Sequence, residues 1–362
     1  MTDRERFVNV MHYREVDQIP LWDFGFWEET LPTWEQQGYP AGADPQAYFQ
    51  MDRGLGGFPV HLGMIPPFTP VKIAEDEISE TVIDEAGVKQ RRKKPGHGSS
   101  IPTFLEFPVK DRADWEEMKK RYDPRDERRR LADFEEHVRR ANQRDYALQI
   151  SCWGLFGTIR GWMGVENAAL AFYDDPGMIQ DMMEHIAYFV CELIHPVLDR
   201  VQVDVGAFWE DMAYNKTSLI SPAHFKKYMV PAYQKITGLL REHGCDLAYV
   251  DCDGNIEELV PLWLEGGVNI MFPVEIGTWQ ADPWAWRRKY GRELRAMGAI
   301  GKRALAAGRR EIDAEIERRR PLLEDGGFIP HPDHRVPPDV PLAHYQYYLD
   351  RMREILHRPY RF

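Results

Sequence analysis

The stretch "CDLAYVDCDGNIEELVPLWLEGGVNIMFPVE", residues 245–275, decides the fold. It opens on the apolar run "LAYV" (247–250), which predicts a buried strand. Asn255 and Glu258 then stand at capping-box spacing and Gly266-Gly267 stop the pattern, so a helix is expected over 255–267. "VNIMFPV" (268–274) predicts the next strand. Two strands joined through one helix run parallel. Between them, Asp251 and Asp253 bracket Cys252 where the first strand ends. Burying two carboxylates there is costly unless something partners them.

The same unit repeats outward from this stretch. "VDVGAF" (203–208) reads as a strand. The helix after it is capped by Ser221, starts at Pro222, stops at Gly244 and carries a Pro231 expected to kink or split it. "LRAMGAI" (294–300) and "GFIP" (327–330) read as strands, with helical patterns over 302–327 and 341–356. Upstream, "IPLWDFG" (19–25) and "YALQIS" (146–151) read as strands. Residues 176–200 form a helix with Met178, Met182, Ile186, Phe189, Leu193 and Val197 on one face. The repeat predicts one (β/α)8 barrel domain over residues 1–362. Residues 80–93, turning at Ala86-Gly87, are expected to insert into it as a β-hairpin.

The chain has 362 residues, 43% hydrophobic and 29% charged, with a formal net charge of -12. That sign repels phosphate backbones and anionic lipid, which argues against nucleic-acid and membrane partners. No apolar stretch reaches 18 residues, the four cysteines form no CxxC pair, and no secretory h-region is present, so a reducing cytoplasm is the expected compartment. Neither GxGxxG nor GxxxxGK[ST] follows a strand.

Barrel active sites lie at the C-terminal ends of the strands. Trp209, Glu210 and Asp211 follow one strand, Asp251 and Asp253 the next, and Glu275 the one after. Then come Lys302 and Arg303, and finally His331, Asp333 and His334. Glu210, Asp211, Asp251 and Arg303 are the candidate catalytic residues. Trp27, Trp153, Arg160, Trp209 and His331 are the candidate substrate-binding residues. Asp251, Asp253, Glu275 and His334 are expected to converge on one rim, where a divalent metal or basic partners would relieve their repulsion. Alternatives stand beside each reading. Asp253 could cap the following helix, Asp251 could pair with Lys302 or Arg303, and the tryptophans could plug the barrel. Cys252 is expected to be a buried filler.

Several segments together resemble the uroporphyrinogen decarboxylase superfamily: "RERFVNVMHYREVDQIPLWDFG", "WEDMAYNKTSLISPAHFKKYMVPAYQKI", "GNIEELVPLWLEGGVNIMFPVE" and "GGFIPHPDHRVPPDVP". The resemblance implies a (β/α)8 barrel and either decarboxylase or cobamide-linked methyltransferase chemistry, and a homodimer is expected. Where the decarboxylases carry an arginine-rich grip for a poly-acid, this chain has "DFGFWEET" (23–30), which disfavours uroporphyrinogen as substrate. Where the methyltransferase branch carries a zinc site of His-x-Cys, Glu and Cys, this chain places Asp251, Asp253, Glu275 and His334. That harder set suits oxygen donors, with zinc the expected ion and Mn²⁺, Fe²⁺ or Mg²⁺ the alternatives. The leading expectation is metal-assisted methyl transfer with a small oxygenated substrate and a corrinoid-binding partner protein. A metal-independent decarboxylase and a non-catalytic ligand-binding barrel are the alternatives.

Overall fold

Seven strands form one parallel sheet: β1 (Gly56–Phe58), β6 (Leu148–Ser151), β7 (Val205–Trp209), β8 (Ala248–Asp251), β9 (Ile270–Val274), β10 (Arg295–Ile300) and β11 (Phe328–Pro332), hydrogen-bonded in that order. The structure is a computed structural model and describes residues 1–94 and 101–362. The strand ends expected near Phe208, Val250, Val274, Ile300 and Pro330 are neighbours, and the register aligns Trp209 with Asp251 and Asp251 with Phe272. Helices between the strands cover the outer face. The longest, Pro176–Leu198, buries Met178, Met182, Ile186, Phe189 and Val197, each contributing roughly 1.5–3 kcal/mol of transfer free energy.

The expected eighth strand does not form among the described residues. The segment from Ile19 to Phe26 makes one isolated parallel bridge, Phe26 to Val336. It otherwise exchanges single hydrogen bonds, Leu21 N–H with Asp52 Oδ2 at 2.8 Å and Val336 N–H with Gly25 O at 2.9 Å. Pro20 removes one donor from any ladder, and Gly25 at φ +109° breaks the extended run. The parallel sheet is therefore a curled seven-stranded one.

The insertion is larger than a hairpin. Strands β3 (Ser79–Ile83) and β4 (Lys89–Lys93) pair as expected around Gly87. They are flanked by β2 (Val71–Glu75) and β5 (Thr103–Glu106) in a separate four-stranded antiparallel sheet.

Two helix boundaries also move. Pro231 splits its helix: Phe225–Met229 is a π-helical stretch between Pro222–His224 and Val230–Glu242, taking up the register that the missing N–H disrupts. The helix expected from 255 starts at Val260. Asn255 Oδ1 instead accepts Glu257 N–H within a turn, and Glu258 accepts from Thr217. Among the described residues no helix is long and apolar enough to cross a membrane.

Candidate active site

Beyond β7 the chain splits two adjacent acids between different tasks. Glu210 is fully buried. Its oxygens accept Leu155 N–H and Gly157 N–H, both at 2.8 Å, and the Tyr233 hydroxyl. These amides open the helix Phe156–Met163, where an anion complements the helix dipole. The approach needs glycine, because a Cβ on Gly154 would lie 1.9 Å from Trp209 O. Burial pushes the Glu210 carboxyl up to about 7, against the hydrogen bonds that lower it. Expected as a catalytic residue, Glu210 is placed as the anchor of a loop, with its acceptor positions engaged.

Asp211 turns the other way, at φ +44°. Its Oδ2 meets Arg160 Nη2 at 3.2 Å and its Oδ1 accepts Asp253 N–H at 3.3 Å. The Arg160 guanidinium also lies 4.7 Å over the Trp209 ring, fixing arginine, indole and carboxylate as one unit.

Asp251 ends β8, and Asp253 follows through Cys252, which is buried as expected. Each of Asp211, Asp251 and Asp253 brings a carboxylate oxygen within 4.8 Å of the others. The crowding has its electrostatic signature. Burial first, then the charges of Asp211 and Asp253, push the Asp251 carboxyl up to about 8. Burial and Asp253 raise Asp211 as well. Beside the trio opens a cavity of about 250 Å³, lined among others by Gln149, Ser151, Trp209, Tyr249 and Asp251.

The other expected metal ligands stand differently. His334 Nε2 approaches Asp253 Oδ2 at 3.4 Å. Its Nδ1 accepts Arg335 N–H at 2.8 Å, so in the neutral ring the proton sits on Nε2, the nitrogen nearer Asp253. This places the imidazole beside the trio rather than within it. Trp27, 38% exposed, stacks on the same imidazole at 5.4 Å. Glu275 is outside the trio. It accepts Gly254 N–H at 2.7 Å and Thr278 Oγ1–H at 2.9 Å, with Lys302 Nζ at 3.7 Å. It thus anchors the loop that carries Asp253.

Arg303 is exposed and lies alongside Gly277, and no hydrogen bond joins it to the trio among the described residues. His331 is fully buried in β11 against Phe272 and Phe24. Its Nδ1 contacts Pro332 O, and burial holds it near 4, so it is neutral. Trp153 lines the cavity, packed against Tyr122, Trp162 and Phe189. Sequence reasoning passed over Gln149 and Tyr249, whose side chains hydrogen-bond at 2.7 Å on the cavity wall. Strand periodicity carries the signal for both, since each sits two residues before a strand-end polar residue.

The donor set can be tested against a divalent ion. Three aspartates with converging oxygens, one held at an elevated pKa by burial and by its neighbours, fit a hard, oxygen-preferring cation better than a thiophilic one. Asp211 enters this set, while Glu275 and His334 support it from behind.

A model of the family described as uroporphyrinogen decarboxylase (URO-D) matches residues 90–355. The chain belongs to the uroporphyrinogen decarboxylase family. A solved structure of a methyltransferase from Methanosarcina mazei is similar, with a TM-score of 0.63 at 13% identity, over 98% of this chain and 99% of that one. At that identity the likeness is one of fold. Among curated proteins none matches the chain. Within this uroporphyrinogen decarboxylase fold, the acid trio sits at the C-terminal strand ends where parallel α/β sheets bind ligands.

Proposed function

We propose that this uroporphyrinogen decarboxylase family member transfers a methyl (one-carbon) group from a small oxygenated substrate, using a divalent cation held by Asp211, Asp251 and Asp253 and a corrinoid-binding partner protein. The observation that carries the reading is the convergence of those three aspartates on one another, with Asp251 also lining a cavity of about 250 Å³. The similarity to a protein named as a methyltransferase supports the reaction type. When bound, the cation would act as a Lewis acid on a carbonyl, carboxylate, hydroxyl or methoxyl oxygen. The all-oxygen set favours Mg²⁺ or Mn²⁺ over zinc. Arg160 offsets part of the trio's charge at Asp211, and His334 lies beside Asp253. Tyr249, Gln149 and Ser151 offer polar contacts to a substrate in the cavity, and Trp153 and Trp209 its aromatic walls.

A second reading has its own observation. With no cation, Asp251 at about 8 is protonated at neutral pH and is a proton donor for a metal-independent decarboxylation of a small carboxylic acid. Elemental analysis separates the two. The first reading expects wild-type protein to carry about one equivalent more divalent metal than Asp251→Asn. It also expects added reduced cobalamin to be methylated by small methyl ethers. Equal metal content in both proteins, with turnover of an acid intact in chelator, would replace it by the second.

A further inference from the structure

A second cluster lies at the opposite end of the sheet. His195 is in the last turn of the helix Pro176–Leu198, Asp199 caps that helix, and His243 caps the helix Val230–Glu242. Both helices lead into the N-terminal ends of strands, β7 and β8, so the cluster is on the face away from the acid trio. Asp199 Oδ1 is 3.3 Å from His243 Nε2 and 3.7 Å from His195 Nε2, and the ligand atoms of all three lie within 4.8 Å of one another.

The tautomer of His243 makes this arrangement informative. Its Nδ1 is 2.9 Å from Leu239 O, and a carbonyl only accepts, so Nδ1 carries the proton. In the neutral ring, Nε2 then turns a lone pair toward the Asp199 carboxylate. Two acceptors at 3.3 Å repel unless a cation, or a second ring proton, lies between them. A backbone carbonyl on one ring nitrogen and a free lone pair on the other is the support that metal-binding histidines commonly have. His195 and Asp199, four residues apart, share one helical face, which is the spacing of a two-point clamp. Donors around a tetrahedral zinc with bonds near 2.0–2.2 Å stand about 3.3–3.6 Å apart, and the two measured separations are 3.3 and 3.7 Å. Two helix C-termini and a net charge of -12 add to the attraction for a cation.

We propose that His195, Asp199 and His243 form a surface site for a borderline transition-metal dication such as Zn²⁺, tying the C-terminal ends of two helices together, with water completing the coordination. The donor set of two imidazoles and one carboxylate differs from the all-oxygen trio, so the two sites differ in metal preference.

The test is calorimetric titration of the full chain with Zn²⁺, comparing wild type, Asp251→Asn, His195→Gln and the double variant His195→Gln/His243→Gln. Thermal unfolding is followed with and without Zn²⁺. The proposal expects Asp251→Asn to retain a Zn²⁺-binding event that weakens at least about tenfold in His195→Gln and is lost in the double variant. It also expects a Zn²⁺-dependent rise in Tm that disappears with that event. His195 is exposed, so the single variant tests the site without disturbing the fold. Identical isotherms in Asp251→Asn, wild type and the double variant would overturn the site and leave a protonated His243–Asp199 ion pair as the occupant of that geometry.

Discussion

Glu210 and Asp211 are adjacent and chemically alike, yet the structure sets them different tasks. Replacing Glu210 by Gln turns an amide N–H₂ toward donors that need an acceptor, Leu155 N–H, Gly157 N–H or Tyr233 O–H. A loss of about 2–4 kcal/mol in urea unfolding is expected. Asp211→Asn should keep the fold within about 1 kcal/mol and lose divalent-metal binding instead, as titration would record. Asp251 makes a pH-dependent prediction. Its folded pKa of about 8 lies above its ordinary 3.8, so the metal-free folded chain holds the proton more tightly between those values. Its contribution to stability therefore falls as pH rises from about 4 to 8. Asp251→Asn should remove that slope and gain roughly 1–3 kcal/mol at pH 8 in chelator. A Tm–pH profile with the same slope in both proteins would count against it. The polar rim residues were legible one by one from their strand-end positions. Their partition into anchors and converging acids was not, because it depends on which loop amides lie within about 3 Å, and no local pattern encodes that.

At the level of elements, the βαβ repeat was readable wherever β-branched and apolar runs met a glycine stop. β1, "GGF", escaped because three residues with two glycines carry neither propensity nor period. "IPLWDFG" misled for the opposite reason: its composition is strand-like, but Pro20 and Gly25 deny it a ladder. The helix expected at 255 starts five residues late because Asn255 and Glu258 satisfy the 214–217 loop. Gly154 is the element-level test. A Cβ there would meet Trp209 O at 1.9 Å, where backbone cannot yield cheaply. Gly154→Ala should cost more than about 3 kcal/mol, read by denaturant midpoint, whereas Gly161→Ala, with open space around it, should cost little.

For the molecule as a whole, charge and cavity agree on what the site excludes. A net charge of -12, an acid trio and a cavity of about 250 Å³ oppose a large poly-acid. Tryptophan fluorescence titration with a porphyrinogen-type octacarboxylate should give no saturation at micromolar concentration. Saturation would mean that Arg160 and Arg303 swing together into a clamp that the structure does not form. One buried side chain at the rim carries a mechanical consequence. Asp333 accepts Ile276 N–H, Gly277 N–H and Lys302 N–H, each at 2.9 Å, so one carboxylate fastens the loops that follow β9 and β10 to the end of β11. Three crossings of the chain are riveted at a single point, and none can lift as an independent flap. Their amide protons should exchange with solvent as one cooperative unit, and in Asp333→Asn all three should lose protection together.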